Sequence, residues 1–266
     1  MADSEFHKDP DEAKDRNFVT ALARGLDVLR CFRANEYELT NTDISERTGL
    51  PKATVSRLTH TLCRLEYLIP DARKGTYQLG PGVLRLGFGV LAGMDICDRA
   101  GQVLRDLRRG PNSYITAALG ERHRTEAIYV AVNRSRENVS LSMHVGSRVP
   151  LFFSAMGRAI LVAMEQDERD AVFEMAARED PDRDAAWRES YERAAEEFAA
   201  RGFCTSYGEW REDVNGIAVP VHSLNRARVY GLNVGGPSFY VSRDELEGEY
   251  AEKLMAAANA LSLRPG

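Results

Sequence analysis

The sequence has no long apolar run and no closely spaced pair of cysteines. No stretch of about 18 consecutive apolar residues occurs, which argues against a membrane-spanning helix, and the polar opening MADSEFHKDPDEAKDRN does not resemble a signal peptide. The four cysteines, Cys31, Cys63, Cys97 and Cys204, form no CxxC motif, so neither a zinc ribbon nor a disulfide framework is indicated. We therefore expect a cytoplasmic protein with reduced thiols and no membrane partner.

Motifs of several large enzyme classes are also missing. GxSxG, HExxH, GxxxxGK[ST] and DFG do not occur. The segment GFGVLAG contains GxG, but its third glycine comes one residue late and no strand is predicted before it. His60 and Cys63 stand three residues apart on one predicted helix, a spacing that suits a metal ion, but no second pair lies near in sequence. We expect no cofactor, no metal site and no catalytic residues.

Charge divides the chain into two parts. The 266 residues, 44% hydrophobic and 28% charged, suit two globular domains with an overall charge of -5. Between residues 47 and 85, however, seven basic residues stand against two acidic ones, whereas residues 165–197 contain thirteen acidic and five basic ones. The net charge therefore does not exclude a nucleic acid partner for the first part.

The basic part has the pattern of a winged helix-turn-helix. A first helix is predicted from about Val19 to Phe32, and Thr40 with Asp43 resembles a capping box that starts a second. Gly49 can end that second helix, because glycine readily adopts the left-handed conformation. A third helix follows in KATVSRLTHTLCRLEYL, with Val55, Leu58, Leu62 and Leu65 on one face, and YLIPDARKGTYQLG then predicts a two-stranded wing.

Such a unit binds DNA when polar and basic side chains of the third helix reach base edges and flanking cations neutralise phosphates. The alternative is a small three-helix packing unit with an incidental basic face. The Gly49 turn, the short second helix and the wing together favour DNA binding. The predicted contacts to double-stranded operator DNA are Thr40, Lys52, Ala53, Thr54, Ser56, Arg57, His60, Arg73 and Lys74.

The remaining chain predicts an α+β domain with an antiparallel sheet. Six segments read as strands: SYITAAL, EAIYVAV, VSLSMHV, FCTSY, GIAVPV and VYGLNV. SAMGRAILVAM reads as a short buried helix, a longer helix ends at Gly202, and Ser242 with Glu245 caps the last one. A helix N-terminus laid over such a sheet can hold a small anion.

Several ordered segments carry a family resemblance. ALARGLDVLRCF, LTNTDISERTGLPKATVSRLTHTLCRLEYL, GTYQLGPGVLRLG, HVGSRVPLFFSAMGRAILVAM and GIAVPVHSLNRARVYGLNVGGP together resemble the IclR family of bacterial transcription regulators. The opening DRNFVTALARGLDVL is most similar to the branch that includes protocatechuate and hydroxybenzoate regulators. The resemblance implies a GAF-like effector domain that controls a winged helix domain, in a homodimer or homotetramer. The expected parts are a mobile tail (1–16), the DNA-binding domain (17–79), a linker helix (80–95) and the effector-binding and oligomerisation domain (96–266).

The resemblance also implies an effector pocket. The backbone at Ala155 and Met156 resembles the amides that cradle a carboxylate. Gly216 stands where many members have cysteine, Asn233 and Gly235 stand where serines are frequent, and Ser206 or Glu209 falls near an acidic position. Trp210 is a candidate to stack on an aromatic ring. Gly216 and Met156 imply a pocket wider than one for a two-carbon acid. The expected effector is a small carboxylated metabolite, aromatic or related to an aromatic acid.

An enzyme of GAF-like fold is the alternative function. In a cysteine-dependent reductase Cys204 would be the nucleophile, which requires a lowered thiol pKa and usually a resolving cysteine. No cysteine or lysine lies near Cys204 in sequence, and an enzyme leaves the first 80 residues unexplained.

Overall fold

The computed structural model describes residues 16–33, 36–138, 141 and 143–262. The predicted N-terminal tail, residues 1–16, lies outside the described residues except for Arg16. The chain forms two compact units, one ending at Gly93 and one beginning at Met94. The predicted linker segment 80–95 contains a helix, Pro81–Ala92, and the first residue of the next helix, Asp95. The functional roles of the predicted parts stay a prediction.

The first unit is a winged helix-turn-helix, as predicted. Its helices and strands are α1 (Thr20–Arg30), β1 (Leu39–Thr40), α2 (Asn41–Thr48), α3 (Lys52–Arg64), β2 (Leu68–Asp71), β3 (Thr76–Leu79) and α4 (Pro81–Ala92). The three strands form an antiparallel sheet in the order β1-β3-β2. The short strand β1, which precedes α2, was not predicted.

Local chemistry sets the bounds of α2. The Thr40 hydroxyl accepts the Asp43 N–H at 3.2 Å, and the Asp43 carboxylate accepts the Thr40 N–H at 2.8 Å, which completes the predicted capping box. The hydrogen bond from the Thr40 N–H, followed by a second one that the Thr40 hydroxyl donates to the same carboxylate at 2.7 Å, lowers the pKa of Asp43. At the other end Gly49 has φ +67°, so the chain reverses into α3 without the strain that a side chain would add.

The buried face of α3 differs from the prediction at one position. Val55 and Thr59 are buried, and Leu58 and Leu62 pack beside them, but Leu65 is 59% exposed because the helix has already ended at Arg64. The Thr59 hydroxyl is satisfied by donating to the Val55 carbonyl at 3.0 Å. The opposite face of α3 is therefore left to solvent.

Two helices of this unit expose apolar side chains. Leu22 of α1 is 63% exposed, and the residue of that helix that is buried is Val28. Nothing on α4 is buried, and Leu84 and Phe88 are 74% and 68% exposed. Apolar residues of this size usually leave water when a partner is available.

The second unit is a six-stranded antiparallel sheet with helices packed on it. Its helices are α5 (Asp95–Arg108), α6 (Ala155–Ala163), α7 (Gln166–Glu179), α8 (Asp184–Arg201), α9 (Arg243–Glu245) and α10 (Ala251–Ser262), the last two joined by a π-helical turn (Leu246–Tyr250). Its strands are β4 (Thr116–His123), β5 (Glu126–Asn133), β6 (Arg148–Pro150), β7 (Cys204–Tyr207), β8 (Val214–His222) and β9 (Val229–Pro237), in the order β6-β5-β4-β9-β8-β7. Together with the first unit, this confirms the predicted fold class.

One predicted strand was misplaced. The segment VSLSMHV (139–145) was predicted as the third strand, but its described residues 141 and 143–145 carry no strand, and 139, 140 and 142 lie outside the described residues. Strand β6 follows instead, pairing Arg148 with Ile128. Gly146, at φ +88°, makes the turn that brings the chain back to β5. The alternation of apolar residues alone did not show that the strand lies at 148–150 and not at 139–145.

Glycines let helix α6 pack closely on the preceding turn and on the sheet. A Cβ on Gly157 would stand 2.1 Å from the Leu151 carbonyl oxygen and 2.4 Å from its Cα. The Met156 side chain rests on Gly120 and Gly231, where a Cβ would meet it at 2.3 and 2.7 Å. The N-terminus of α6 is capped by Ser154, whose hydroxyl accepts the Gly157 N–H at 3.0 Å. Its first turn is therefore fixed against the face formed by β4, β9 and β8.

We expect Gly157→Ala to lower stability, because the added methyl group meets backbone that cannot move aside. Overpacking of this kind costs about 1–3 kcal/mol. Gly101→Ala in the middle of α5 is the matched control, since a Cβ there contacts no more than the Arg105 side chain at 3.7 Å and alanine is the better helix former. Urea unfolding followed by far-UV circular dichroism measures both. Equal stability of the two variants would contradict the close seating of α6.

Candidate functional site

The first unit presents a polar face on α3. Among the predicted DNA contacts of this helix, Thr54 is half-buried and the others are exposed: Lys52, Ala53, Ser56, Arg57 and His60. Positions 53, 56, 57 and 60 follow the spacing of one helical face, opposite the buried Val55 and Thr59. In the described part of the chain, neither Lys52 nor Arg57 is paired with a carboxylate. Both cations are available to an anionic partner.

The predicted DNA contacts in the wing and at the start of α2 make more hydrogen bonds within the protein than those on α3 do. Arg73 is exposed at the tip of the β2–β3 turn, where its N–H donates to Asp71. The Lys74 ammonium lies 2.9 Å from both carboxylate oxygens of Glu38, whose hydrogen bond raises the Lys74 pKa. Thr40 uses its hydroxyl and its N–H in the capping box. To contact a phosphate, Lys74 must exchange one anion for another.

The second unit contains a cavity of about 30 Å³ between α6 and the sheet. Seven of the eight predicted effector residues line it: Ala155, Met156, Ser206, Trp210, Gly216, Asn233 and Gly235. Its remaining lining residues are Thr116, Tyr129, Leu141, Val149, Ser154, Val214 and Asn215. None of these side chains is charged. The cavity is narrower than the wide pocket expected from Gly216 and Met156, because Met156 lies on the sheet and occupies that space.

The floor of the cavity is one row of paired residues across four strands. Thr116 pairs with Gly235, Gly235 with Gly216, and Gly216 with Ser206. A Cβ on Gly235 would lie 2.5 Å from the Asn215 carbonyl oxygen, so this position requires glycine. The two central positions expose bare backbone, which leaves a flat floor for a planar group.

Several donors converge on this floor from α6 and β4. The N–H groups of Ala155 and Met156, in the first turn of α6, have no acceptor within their own helix and lie at its positive dipole end. The Thr116 hydroxyl accepts the Ser135 N–H at 3.1 Å, so its own proton can be donated. Ser206, by contrast, donates its hydroxyl proton to the Phe153 carbonyl at 2.7 Å.

Tyr129 and Asn233 form a polar pair in the wall. Burial raises the pKa of Tyr129 above its usual range, only partly offset by a hydrogen bond with Asn233, so the phenol is neutral. The Asn233 Oδ1 atom is buried and has no hydrogen-bond partner among the described residues. A buried carbonyl oxygen without a donor is costly. It would be satisfied by a ligand hydroxyl or a water molecule.

Glu209 is the predicted effector residue that does not line the cavity. Its two carboxylate oxygens each accept a hydrogen bond from the Arg158 guanidinium at 2.6 Å. Partial burial pushes the Glu209 pKa upward, but hydrogen bonds and charge from Arg158, with a smaller contribution from Arg193, outweigh it and lower the pKa. The carboxylate is therefore ionised and already paired.

Cys204 lacks the environment of a nucleophile. The side chain is fully buried among alanines of α6, α8 and β8, and burial raises the pKa of its thiol to about 12. A thiolate is thus strongly disfavoured at neutral pH.

The described residues also contain no group of three or more histidine, cysteine, aspartate and glutamate side chains able to hold a metal ion. No helix among them has the length and hydropathy to cross a membrane.

Sequence reasoning missed Thr116, Tyr129 and Arg158. Thr116 lies on a strand whose first five residues are all buried, and Tyr129 lies in the apolar segment EAIYVAV, so the sequence did not show which of these residues face α6. Arg158 was hidden inside an apolar helix segment. A single arginine in the buried run AMGRAILVA was the available signal, because a buried arginine requires a partner.

Comparisons with known proteins agree along the chain. The family model "Bacterial transcriptional regulator IclR C-terminal" matches residues 88–263, and "IclR helix-turn-helix domain" matches residues 21–72. The Pca regulon regulatory protein of Pseudomonas putida is 31% identical over 249 residues, which cover 93% of this chain and 84% of that protein. That similarity agrees with the predicted branch of the family.

Solved structures show the same architecture. An IclR family transcriptional regulator from Brucella abortus is 40% identical, with 96% of each chain covered and a TM-score of 0.81. An IclR homolog from Microbacterium hydrocarbonoxydans, solved in complex with 4-hydroxybenzoate, is 22% identical, with 91% of this chain and 97% of that chain covered and a TM-score of 0.68. These proteins are regulators, and none of the comparisons supports a cysteine-dependent enzyme. The chain belongs to the IclR family of bacterial transcriptional regulators.

Proposed function

We propose that this regulator is a cytoplasmic homodimer or homotetramer that binds operator DNA through α3 and the wing and is controlled by a small aromatic carboxylic acid in the cavity under α6. The observation that carries the effector assignment is the uncharged cavity with the α6 N-terminus directed onto a glycine floor. Unpaired N–H groups at a helix N-terminus are a recurrent anion site.

The DNA-binding assignment is supported by the exposed face of α3. Its short side chains Ala53, Thr54 and Ser56 permit close approach to base edges in the major groove. Lys52 and Arg57 flank them with unpaired charge, and Arg73 extends the basic surface at the wing. Phosphate contacts fix the position of the helix, while the short polar residues provide the sequence preference.

Each group in the cavity can serve one part of an aromatic acid. The carboxylate fits the N–H groups of Ala155 and Met156 and the Thr116 hydroxyl. The ring would lie over the bare floor at Gly216 and Gly235, beside Trp210, once side chains of the cavity wall have moved. Asn233 offers its unpartnered Oδ1 to a ring hydroxyl. The complex of the Microbacterium homolog with 4-hydroxybenzoate makes this acid a suitable probe.

Self-association is supported by α1 and α4 of the first unit. Leu22 and Leu26 are exposed on α1, as is Val19 directly before it. On α4 the exposed apolar residues are Leu84, Leu86, Phe88 and Val90. A helix that is apolar all round needs a covering partner. A second copy of the chain brings an equivalent apolar surface, and two-fold pairing is the commonest way to bury it.

We expect Arg57→Ala to weaken binding to duplex DNA by about tenfold, because one phosphate contact is lost. The slope of log K against log salt concentration should become shallower by about one. Arg64→Ala, at the C-terminal end of the same helix, is the matched control. Gel shifts with the intergenic duplex upstream of the regulator's own gene, at several salt concentrations, measure both. Equal binding by Arg57→Ala and the wild type would refute the assignment of this face.

We expect 4-hydroxybenzoate to raise the melting temperature of the wild type, since a ligand at 100-fold excess over Kd stabilises by about 2.7 kcal/mol. The neutral analogue 4-hydroxybenzamide should have little effect, because the α6 N-terminus selects the anion. Asn233→Leu should abolish the shift while leaving DNA binding intact. If that variant responds like the wild type, the ligand binds elsewhere.

We expect Phe88→Glu to shift the protein toward monomer, because a charge in the centre of an apolar interface must be desolvated. Tyr37→Glu, at another exposed aromatic of the same unit, is the control and should leave the mass unchanged. Light scattering coupled to gel filtration gives the mass of each variant. An unchanged oligomer in Phe88→Glu would exclude α4 from the interface.

A further inference from the structure

We propose that the ion pair between Arg158 and Glu209 is a clasp that positions Trp210 as a wall of the cavity and so gives the site its preference for an aromatic ring. Glu209 is then a positioning residue, and the ligand contact belongs to its neighbour. The ring preference rests on the function proposed above, whereas the clasp itself does not.

All the hydrogen-bond donors of the Arg158 side chain are used by contacts within the protein. It projects from α6 with its side chain 4% exposed, and all five of its N–H groups have acceptors. Nε donates to the Phe152 carbonyl and the Ser190 hydroxyl, Nη1 to the Thr205 carbonyl and Glu209, and Nη2 to Ser190 and Glu209. The guanidinium thereby joins α6, α8, β7 and the loop after β7. It has no donor left for an acid in the cavity.

Glu209 receives this guanidinium in a bidentate arrangement. Two parallel N–H···O bonds of 2.6 Å fix both the distance and the plane of the carboxylate. Arg193 of α8 adds a third hydrogen bond at 2.9 Å from the exposed side. Such a pair restrains the backbone at position 209 far more than an exposed ion pair would.

The loop between β7 and β8, residues 208–213, shows why that restraint matters. Its second half is attached to the end of β9, where Ser238 donates to the carbonyls of Asp213 at 2.9 Å and Glu212 at 3.3 Å. Its first half begins at Gly208, with φ +74°, and contains Glu209 and Trp210. The hydrogen bonds described from this half to α6 and α8 all end on the Glu209 carboxylate.

Trp210 directly follows Glu209 in the sequence. It lines the cavity and packs against the hydrophobic core that contains Met156 and Tyr129. Because Glu209 and Trp210 are consecutive, restraining the Glu209 side chain also restrains the backbone of Trp210. The clasp therefore holds the indole near the floor formed by Gly216 and Gly235. Loss of the clasp frees the indole without removing any group proposed to touch a ligand carboxylate.

Tryptophan fluorescence tests the clasp without any ligand. The chain has two tryptophans, so a Trp187→Phe reference leaves Trp210 as the reporter. In this background we expect Glu209→Gln to raise the acrylamide quenching constant at least about twofold, because an untied loop opens locally. Arg193→Gln is the matched control. It removes the exposed hydrogen bond to Glu209 but keeps the pair with Arg158, and should leave quenching unchanged.

A second variant guards against misfolding, since a lone buried Arg158 can destabilise the domain. Arg158→Met with Glu209→Gln removes both charges, and its circular dichroism and melting curve establish that it is folded. We expect the same rise in quenching. Quenching equal to the Trp187→Phe reference in the folded double variant overturns the clasp.

The ring preference is tested by binding of 4-hydroxybenzoate against trans-4-hydroxycyclohexanecarboxylate, which has the same charge and a saturated ring. We expect the wild type to prefer the aromatic acid and the double variant to lose that preference by several-fold, up to about tenfold. Increased quenching with an unchanged preference overturns the specificity role. If neither acid binds the wild type, the proposed effector class fails while the quenching result still decides the clasp.

Discussion

The close approach of α6 to the sheet is the contact on which the rest of the second unit depends. Gly157 permits the first turn of the helix to lie against Leu151, and Gly120 with Gly231 accepts Met156 from above. Larger residues at these positions would lift the helix and move its N–H groups away from the Gly216–Gly235 floor. The first turn of α6 therefore has two roles: it packs against the sheet and the preceding turn, and it supplies the N–H groups of the proposed anion site.

This arrangement would let an acidic protein hold the proposed acid without a cation in the cavity. The acidic side chains of α7 and α8 are mostly exposed, where solvent and salt screen them. The buried guanidinium of Arg158 is neutralised by Glu209, so the field inside the cavity comes from backbone and hydroxyl dipoles at short range. Oriented dipoles that are already fixed by the fold cost little reorganisation when an anion enters.

Features set by local chemistry could be predicted from the sequence, and features set by tertiary contacts could not. The Thr40–Asp43 capping box and the Gly49 turn depend on a few neighbouring residues, and both are present. The third strand was misplaced because both 139–145 and 148–150 follow the same strand, and only pairing with β5 distinguishes them. Glu209 was placed near the pocket by resemblance, but sequence could not show that α6 carries a buried arginine to meet it.

The size of the cavity identifies which wall would have to move for the proposed aromatic ring to enter. A volume of about 30 Å³ is far below the roughly 150 Å³ that accommodates benzene in another protein. Helix α6 cannot retreat readily, because its first turn is wedged among backbone atoms at Leu151. The sheet floor is fixed by strand pairing on both sides. The side chains of Met156 and Trp210 remain, and Trp210 lies on a loop whose first half is held by the ion pairs of Glu209 with Arg158 and Arg193. The free energy spent on displacing these side chains is subtracted from the binding free energy of a ligand, so a larger effector would bind more weakly the more firmly the Arg158–Glu209 contact holds the loop.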